Sequence, residues 1–146
     1  PCALRRRGPL SVPFSYLLDT NIVSELVRRP SGTVATRIVD VGEDSICTSI
    51  VVAAELRYGA AKSDAKQLSE RVDLLLSALE ILPLEPPADE RYAEIRHHLA
   101  RQGTPIGPND LMIAAHALAA DLTLVTANTR EFERVPSLRV ENWLLA

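Results

Sequence analysis

Aromatic residues are scarce in this chain of 146 residues: Phe, Trp and Tyr together make up 4%. A protein that stacks successive bases of single-stranded nucleic acid needs a platform of such rings, so a general nucleic-acid chaperone fits poorly. The core must be built from Leu, Val, Ile and Ala instead. Cysteine is nearly absent, with only Cys2 and Cys47. Cys2 lies in an irregular tail and Cys47 in an apolar strand-like run. That pattern argues against a disulfide framework, and no Cys/His spacing resembles a zinc site. No apolar run approaches the roughly 20 residues of a membrane span. Positive charge is not in excess: 16 Lys and Arg stand against 19 Asp and Glu, a net charge of −3. Any nucleic-acid partner must therefore be held by a local patch and not by the field of the whole molecule.

What is present is ordinary for a soluble domain, 47% hydrophobic and 24% charged. The length suits one domain with a core that needs neither disulfides nor structural metal. Residues 1–13 carry Arg5, Arg6 and Arg7 with no apolar segment after them, so they do not read as a signal peptide. They also lack an initiator Met. Residues 1–15 are expected to be an expression-derived or disordered extension, and residues 16–146 the folded domain. The expected location is the cytoplasm, with no membrane contact.

The informative stretch is Tyr16-Leu17-Leu18-Asp19-Thr20-Asn21. An apolar run ends in an acid and two small polar residues, and a helical pattern of Ile22, Val23, Leu26 and Val27 follows. A buried parallel strand delivers a carboxylate to the sheet edge in this way, where ligands of open α/β sheets bind. Helices are expected over 21–28 and 33–41, separated by Pro30-Ser31-Gly32. Glu25 and Arg29 are spaced to pair on the first of these. Residues 45–48 read as the second strand, with Ser49 as cap of a buried helix that carries Glu55. A long amphipathic helix is expected over 64–79 and a third strand over 80–84, its Pro83 marking an edge or an end. A helix closing at Gly103 follows. The Gly- and Pro-rich loop 103–108 then opens a helix of small apolar residues with Asp110 in its first turn. Residues 122–126 and 138–143 read as the last two strands. Strands alternating with helices imply a parallel sheet covered on both faces. No internal repeat or low-complexity segment is visible.

Three acids therefore stand at strand–helix junctions: Asp19, Glu55 and Asp110. Thr20, Ser49, Thr126 and Asn128 occupy similar ends and could complete a hydrogen-bonding shell. Each acid also has a plain structural use. Asp19 can cap a helix, Asp110 can complement a helix dipole, and Glu55 can pair with Arg57 or Lys62 through solvent. Together they are harder to explain. Two carboxylates ~4 Å apart repel by ~4 kcal/mol at an effective dielectric of ~20. A cluster of three requires protons or a cation, and Mg²⁺ or Mn²⁺ suits an all-oxygen site.

Four segments carry a resemblance: Leu17-Leu18-Asp19-Thr20-Asn21, Ala54-Glu55-Leu56, Asn109-Asp110-Leu111-Met112-Ile113-Ala114-Ala115-His116-Ala117, and Leu124-Val125-Thr126-Ala127-Asn128-Thr129-Arg130-Glu131-Phe132. Residues 135–143 add to it. In this order they resemble the PIN-domain family, and more narrowly the VapC toxins of VapBC toxin–antitoxin pairs. The resemblance implies a three-layer α/β/α PIN-like domain with a central parallel sheet. It implies a Mg²⁺-dependent endoribonuclease (Mn²⁺ as substitute) that hydrolyses RNA by in-line attack of a metal-activated water. Asp19, Glu55 and Asp110 would be the metal-binding and catalytic acids, and Thr20 and Thr126 would support them. Where such domains often carry a fourth acid, this chain has Asn128, and Glu131 is the nearby residue that could compensate. Arg57, Arg28 and Arg130 are the candidate phosphate contacts. The implied partners are RNA, a cognate antitoxin and a second copy of the chain, with DNA met only through the antitoxin.

Two rival readings follow from the same residues. A phosphatase of the haloacid dehalogenase type also begins with a strand-end acid, but it wants a second Asp where Asn21 stands. A catalytically weak PIN-like module could act through a DNA-bound antitoxin complex, although three retained acids argue against a dead site. His97 and His98 fall on the outer part of their helix, and His116 lies nearly two turns past Asp110. None of the three is expected to act as a general base.

Overall fold

A computed structural model of the chain describes residues 14–145. The extension expected over residues 1–15 therefore falls, for 1–13, outside the described residues. Ser15 is already tied to the sheet: its N–H donates to Ser45 O at 2.7 Å, and its carbonyl accepts from Thr123 N at 2.9 Å.

The chain runs β1 (Tyr16–Leu18), α1 (Thr20–Arg28), α2 (Thr33–Val41), β2 (Ile46–Ser49), α3 (Ile50–Ser63), α4 (Lys66–Ala78) and β3 (Ile81–Leu82). It continues through α5 (Ala88–Gln102), α6 (Pro108–Ala119), β4 (Thr123–Val125), α7 (Thr129–Phe132) and β5 (Val140–Glu141). The five strands form one sheet in the order β3-β2-β1-β4-β5, and every pairing is parallel. The expected α/β architecture is present. β1 sits at the centre, pairing Leu17 with Cys47 on one side and with Leu124 on the other. From β1 the chain builds outward through β2 to β3, then returns to place β4 and β5 on the far side. The crevice between β1 and β4 is thus the switch point of the sheet.

Burial explains why these residues form these elements. Leu17, Leu18 and Leu124 are fully buried, as a central parallel strand covered on both faces requires. α1 buries Ile22, Val23, Leu26 and Val27, one helical stripe. α6 buries Leu111 and Ile113 through Ala117, nearly its whole circumference, and small residues let it sit close to its neighbours. Two of the few aromatics, Phe132 and Trp143, are fully buried near the end of the chain. The Trp143 ring lies 5.1 Å from that of Tyr16 and 5.2 Å from the Arg37 guanidinium.

Several boundaries differ from expectation. The helix expected over 64–79 begins at Lys66, because Asp64 has a left-handed backbone (φ 56°) and ends α3 instead. Leu79 is extended, so α4 stops at Ala78. The strand expected over 80–84 shrinks to Ile81–Leu82, and it is an edge strand, as Pro83 suggested. α7 was not foreseen, since four residues are too few to show a period. α3 is less buried at its start than its apolar sequence suggests: Ile50 is 47% exposed.

Candidate metal centre

Asp19 leaves β1 at the switch point and caps α1. Its N–H donates to Val125 O at 2.9 Å, which clamps it to β4. Its Oδ1 accepts from Thr20 N at 2.8 Å. Its Oδ2 accepts from Thr126 Oγ1 at 2.7 Å and, more weakly, from Asn21 Nδ2 at 3.4 Å. Asp19 is 3% exposed. Burial pushes its carboxyl above the usual range, the Thr126 and Thr20 hydrogen bonds oppose that, and Glu55 adds to it.

Glu55 reaches the same place from α3. Its Oε1 accepts from Thr20 Oγ1 at 2.5 Å and its Oε2 from Asn109 Nδ2 at 3.0 Å. Its pairing with Arg57 or Lys62 does not form. Arg57 donates to Asp73 on α4 at 2.6 Å, and Lys62 lies over the Tyr58 ring. The reason is helical geometry. Two residues turn a helix by about 200°, so Arg57 points away from Glu55.

Asp110 stands in the first turn of α6, where Pro108 starts the helix. Its carboxyl is pushed up to about 7, first by burial and then by the negative charges of Asp19, Glu131 and Glu55. Glu131, from α7, lies close enough to Asp110 for each carboxyl to perturb the other. Asn128 donates to Glu131 Oε2 at 2.6 Å, the main influence holding that carboxyl low. Asn128 therefore orients Glu131.

The structure brings Asp19, Glu55 and Asp110 together, with Thr20 and Thr126 bonded to them and Glu131 added. It does not bring Arg57 there. Arg28 is held by Glu25 at 3.1 Å and is exposed, as is Arg29 at 3.0 Å from the same acid. Arg130 is exposed on α7. His97 and His98 are exposed on α5. His116 is buried, which pushes its imidazole below the usual range, and its Nδ1 lies 2.8 Å from Ser49 Oγ.

Two contributors escaped the sequence reading. Asn21 Oδ1 accepts from Ala127 N at 2.9 Å, stitching α1 to the end of β4. Asn109 holds Glu55. Asn109 directly precedes Asp110 and Asn21 lies two residues after Asp19, and that nearness in sequence was the available signal.

A divalent cation suits this donor set. It is all oxygen, and burial together with the negative charge of its neighbours raises the Asp110 carboxyl to about 7. Among the described residues no three Asp, Glu, His or Cys side chains are already closed into a ligand group. The fit is one of charge and donor type. Thr126 restrains Asp19, Thr20 and Asn109 restrain Glu55, and Asn128 restrains Glu131.

Comparison with known proteins accords with this geometry. The PIN-domain family model matches residues 16–138, and the chain belongs to the PIN-domain family. Relatives within it include VapC proteins. The ribonuclease VapC2 of Rickettsia felis is 41% identical over 130 residues, covering 88% of this chain and 97% of the relative. The tRNA(fMet)-specific endonuclease VapC of Shigella flexneri is 41% identical over 134 residues, covering 89% and 98%. The solved structure of VapBC2 from Rickettsia felis, bound to a DNA fragment from its promoter, superposes with a TM-score of 0.82 at 38% identity. That match covers 89% of this chain and 99% of the other.

Proposed function

We propose that this chain is the toxin of a type II toxin–antitoxin pair and that its acidic crevice hydrolyses RNA phosphodiester bonds with bound Mg²⁺, Mn²⁺ serving as substitute. One observation carries the reading. Asp19, Glu55, Asp110 and Glu131 converge at the β1/β4 switch point of a chain that belongs with the VapC proteins. Asp19 and Asp110 would hold the ion, with Glu55 bound directly or through water. When bound, the ion supplies a Lewis acid and lowers the pKa of a coordinated water. The chain's own residues do the positioning. Thr126 and Thr20 N–H fix the Asp19 carboxylate, Thr20 Oγ1 and Asn109 fix Glu55, and Asn128 aims Glu131 at Asp110. Arg130 is a cation available for substrate phosphates, whereas Arg28 is paired with Glu25 and Arg57 with Asp73.

The partner in this reading is an antitoxin that covers the site and carries the pair to DNA, a reading supported by the likeness to a VapBC2 structure bound to promoter DNA. A homodimer and a cytoplasmic location belong to the same reading. Among the described residues no helix is long and apolar enough to cross a membrane.

The test is cleavage of a mixed RNA pool that includes initiator tRNA, with Mg²⁺ or Mn²⁺ against chelator. Asp19→Asn is expected to lose at least a hundredfold in rate while keeping the wild-type circular dichroism. Equal cleavage by that variant, or cleavage in chelator, would sink the mechanism.

A further inference from the structure

Two polar ties join α3 to α6. Asn109 Nδ2 donates to Glu55 Oε2 at 3.0 Å, and His116 Nδ1 lies 2.8 Å from Ser49 Oγ. The order reverses along the two segments. Ser49, which caps α3, meets His116 near the end of α6, and Glu55, further along α3, meets Asn109 near the start of α6. The helices run antiparallel along this seam. The ties are matched rungs, about 9 Å apart along α3 and about 10.5 Å along α6 at ~1.5 Å per residue.

The rungs are unequal. Asn109 is exposed, so water competes for its bond. Ser49 is fully buried and His116 is 4% exposed. Water cannot replace a partner there, and a buried hydrogen bond broken on one side leaves an orphan. Val51 N–H already donates to Ser49 Oγ at 3.0 Å. Among the described residues the Ser49 O–H has no acceptor but Nδ1, so it donates there, which assigns the ring proton to Nε2.

We propose that His116 is a positioning residue for the acid cluster: accepting from Ser49 inside the core, it sets the register of α6 on α3 and so the spacing between Asp110 and Glu55. A slip of α6 by one turn, about 5.4 Å, breaks both rungs. His116 stands six residues beyond Asp110, about 9 Å along the helix, so it acts through the helix and not on a reacting atom. The consequence for cleavage rests on the ribonuclease reading above, whereas the register claim does not.

The experiment compares the full chain with His116→Leu, which removes the acceptor at similar volume, and with His116→Asn, which keeps an acceptor near the Nδ1 position in a smaller side chain. In metal-free ¹H–¹⁵N NMR spectra, His116→Leu is expected to move the Asn109 side-chain NH₂ signals toward solvent-exposed values, and His116→Asn to return them. With Mg²⁺ and the RNA pool, kcat should fall about tenfold in the Leu variant with KM changed less than twofold. The Asn variant should recover to within about threefold of wild type. A folded Leu variant with unmoved Asn109 signals overturns the proposal. So does an Asn variant no better than Leu, since ring volume and not the bond would then matter. If the Leu variant does not fold, His116→Gln replaces it, because its amide reaches toward the Nε2 position; Asn and Gln behaving alike overturns the proposal too. If the wild type cleaves no RNA, the ribonuclease reading fails, and the NMR comparison still decides the register.

Discussion

Asp110 is the residue whose chemistry is most sensitive to what surrounds it. Its carboxyl sits at about 7 in the folded chain against an ordinary 3.8. A raised folded pKa means that folding is favoured by the protonated form. That contribution is complete below pH ~3.8 and is lost as pH rises through ~7. Asp110→Asn mimics the protonated acid at every pH. In chelator at pH 8, urea unfolding should find it more stable than wild type by about 1–2 kcal/mol, less than the full shift implies because Asp110 is half-buried and partly screened. The difference should vanish below pH 4. Equal stability at pH 8 would show that neither burial nor the neighbouring charges bear on Asp110. The sequence did expose this residue, since an acid after Gly107-Pro108 at a helix start is visible in one dimension. It could not expose that Glu131 comes back to meet it. That contact depends on α7 turning the chain after Asn128, and a single helical turn leaves no periodic trace. Arg57 erred in the other direction: proximity in sequence to Glu55 suggested a shared site, and helical rotation denies it.

Among the elements, α2 spans the residues expected of it, Thr33–Val41. Gly32 and Gly42 bracket it, and Val34 and Ile38 are spaced by one turn. Where punctuation was weaker, the boundary moved. Asp64, expected as the first residue of α4, instead ends α3 in a left-handed conformation. Asp64→Gly should therefore stabilise the chain by about 0.5 kcal/mol, because glycine adopts that conformation without the steric cost of Cβ. Thermal unfolding checks this, and a lowered melting temperature would show that the Asp side chain itself holds the turn. The strands were legible in number and order, because buried parallel strands read as apolar runs. Their ends were not, since hydrogen bonding to neighbours, absent from the sequence, sets where a ladder stops.

For the molecule as a whole, the sheet order matters more than any single strand. Asp19 and Glu55 arrive from the part built around β1, β2 and β3. Asp110 and Glu131 arrive from the part built around β4 and β5. The two parts join where β1 pairs with β4, and the segment between them, residues 83–86, is exposed. A chain opened between Leu84 and Glu85 yields two fragments, each holding half of the acids. Neither alone is expected to cleave RNA, and mixing them should restore Mg²⁺-dependent cleavage as the β1–β4 ladder reforms. Cleavage by one fragment alone would show that half the cluster suffices. The central seam of the sheet thus makes this nuclease divisible: its activity can be made conditional on two separate polypeptides finding each other.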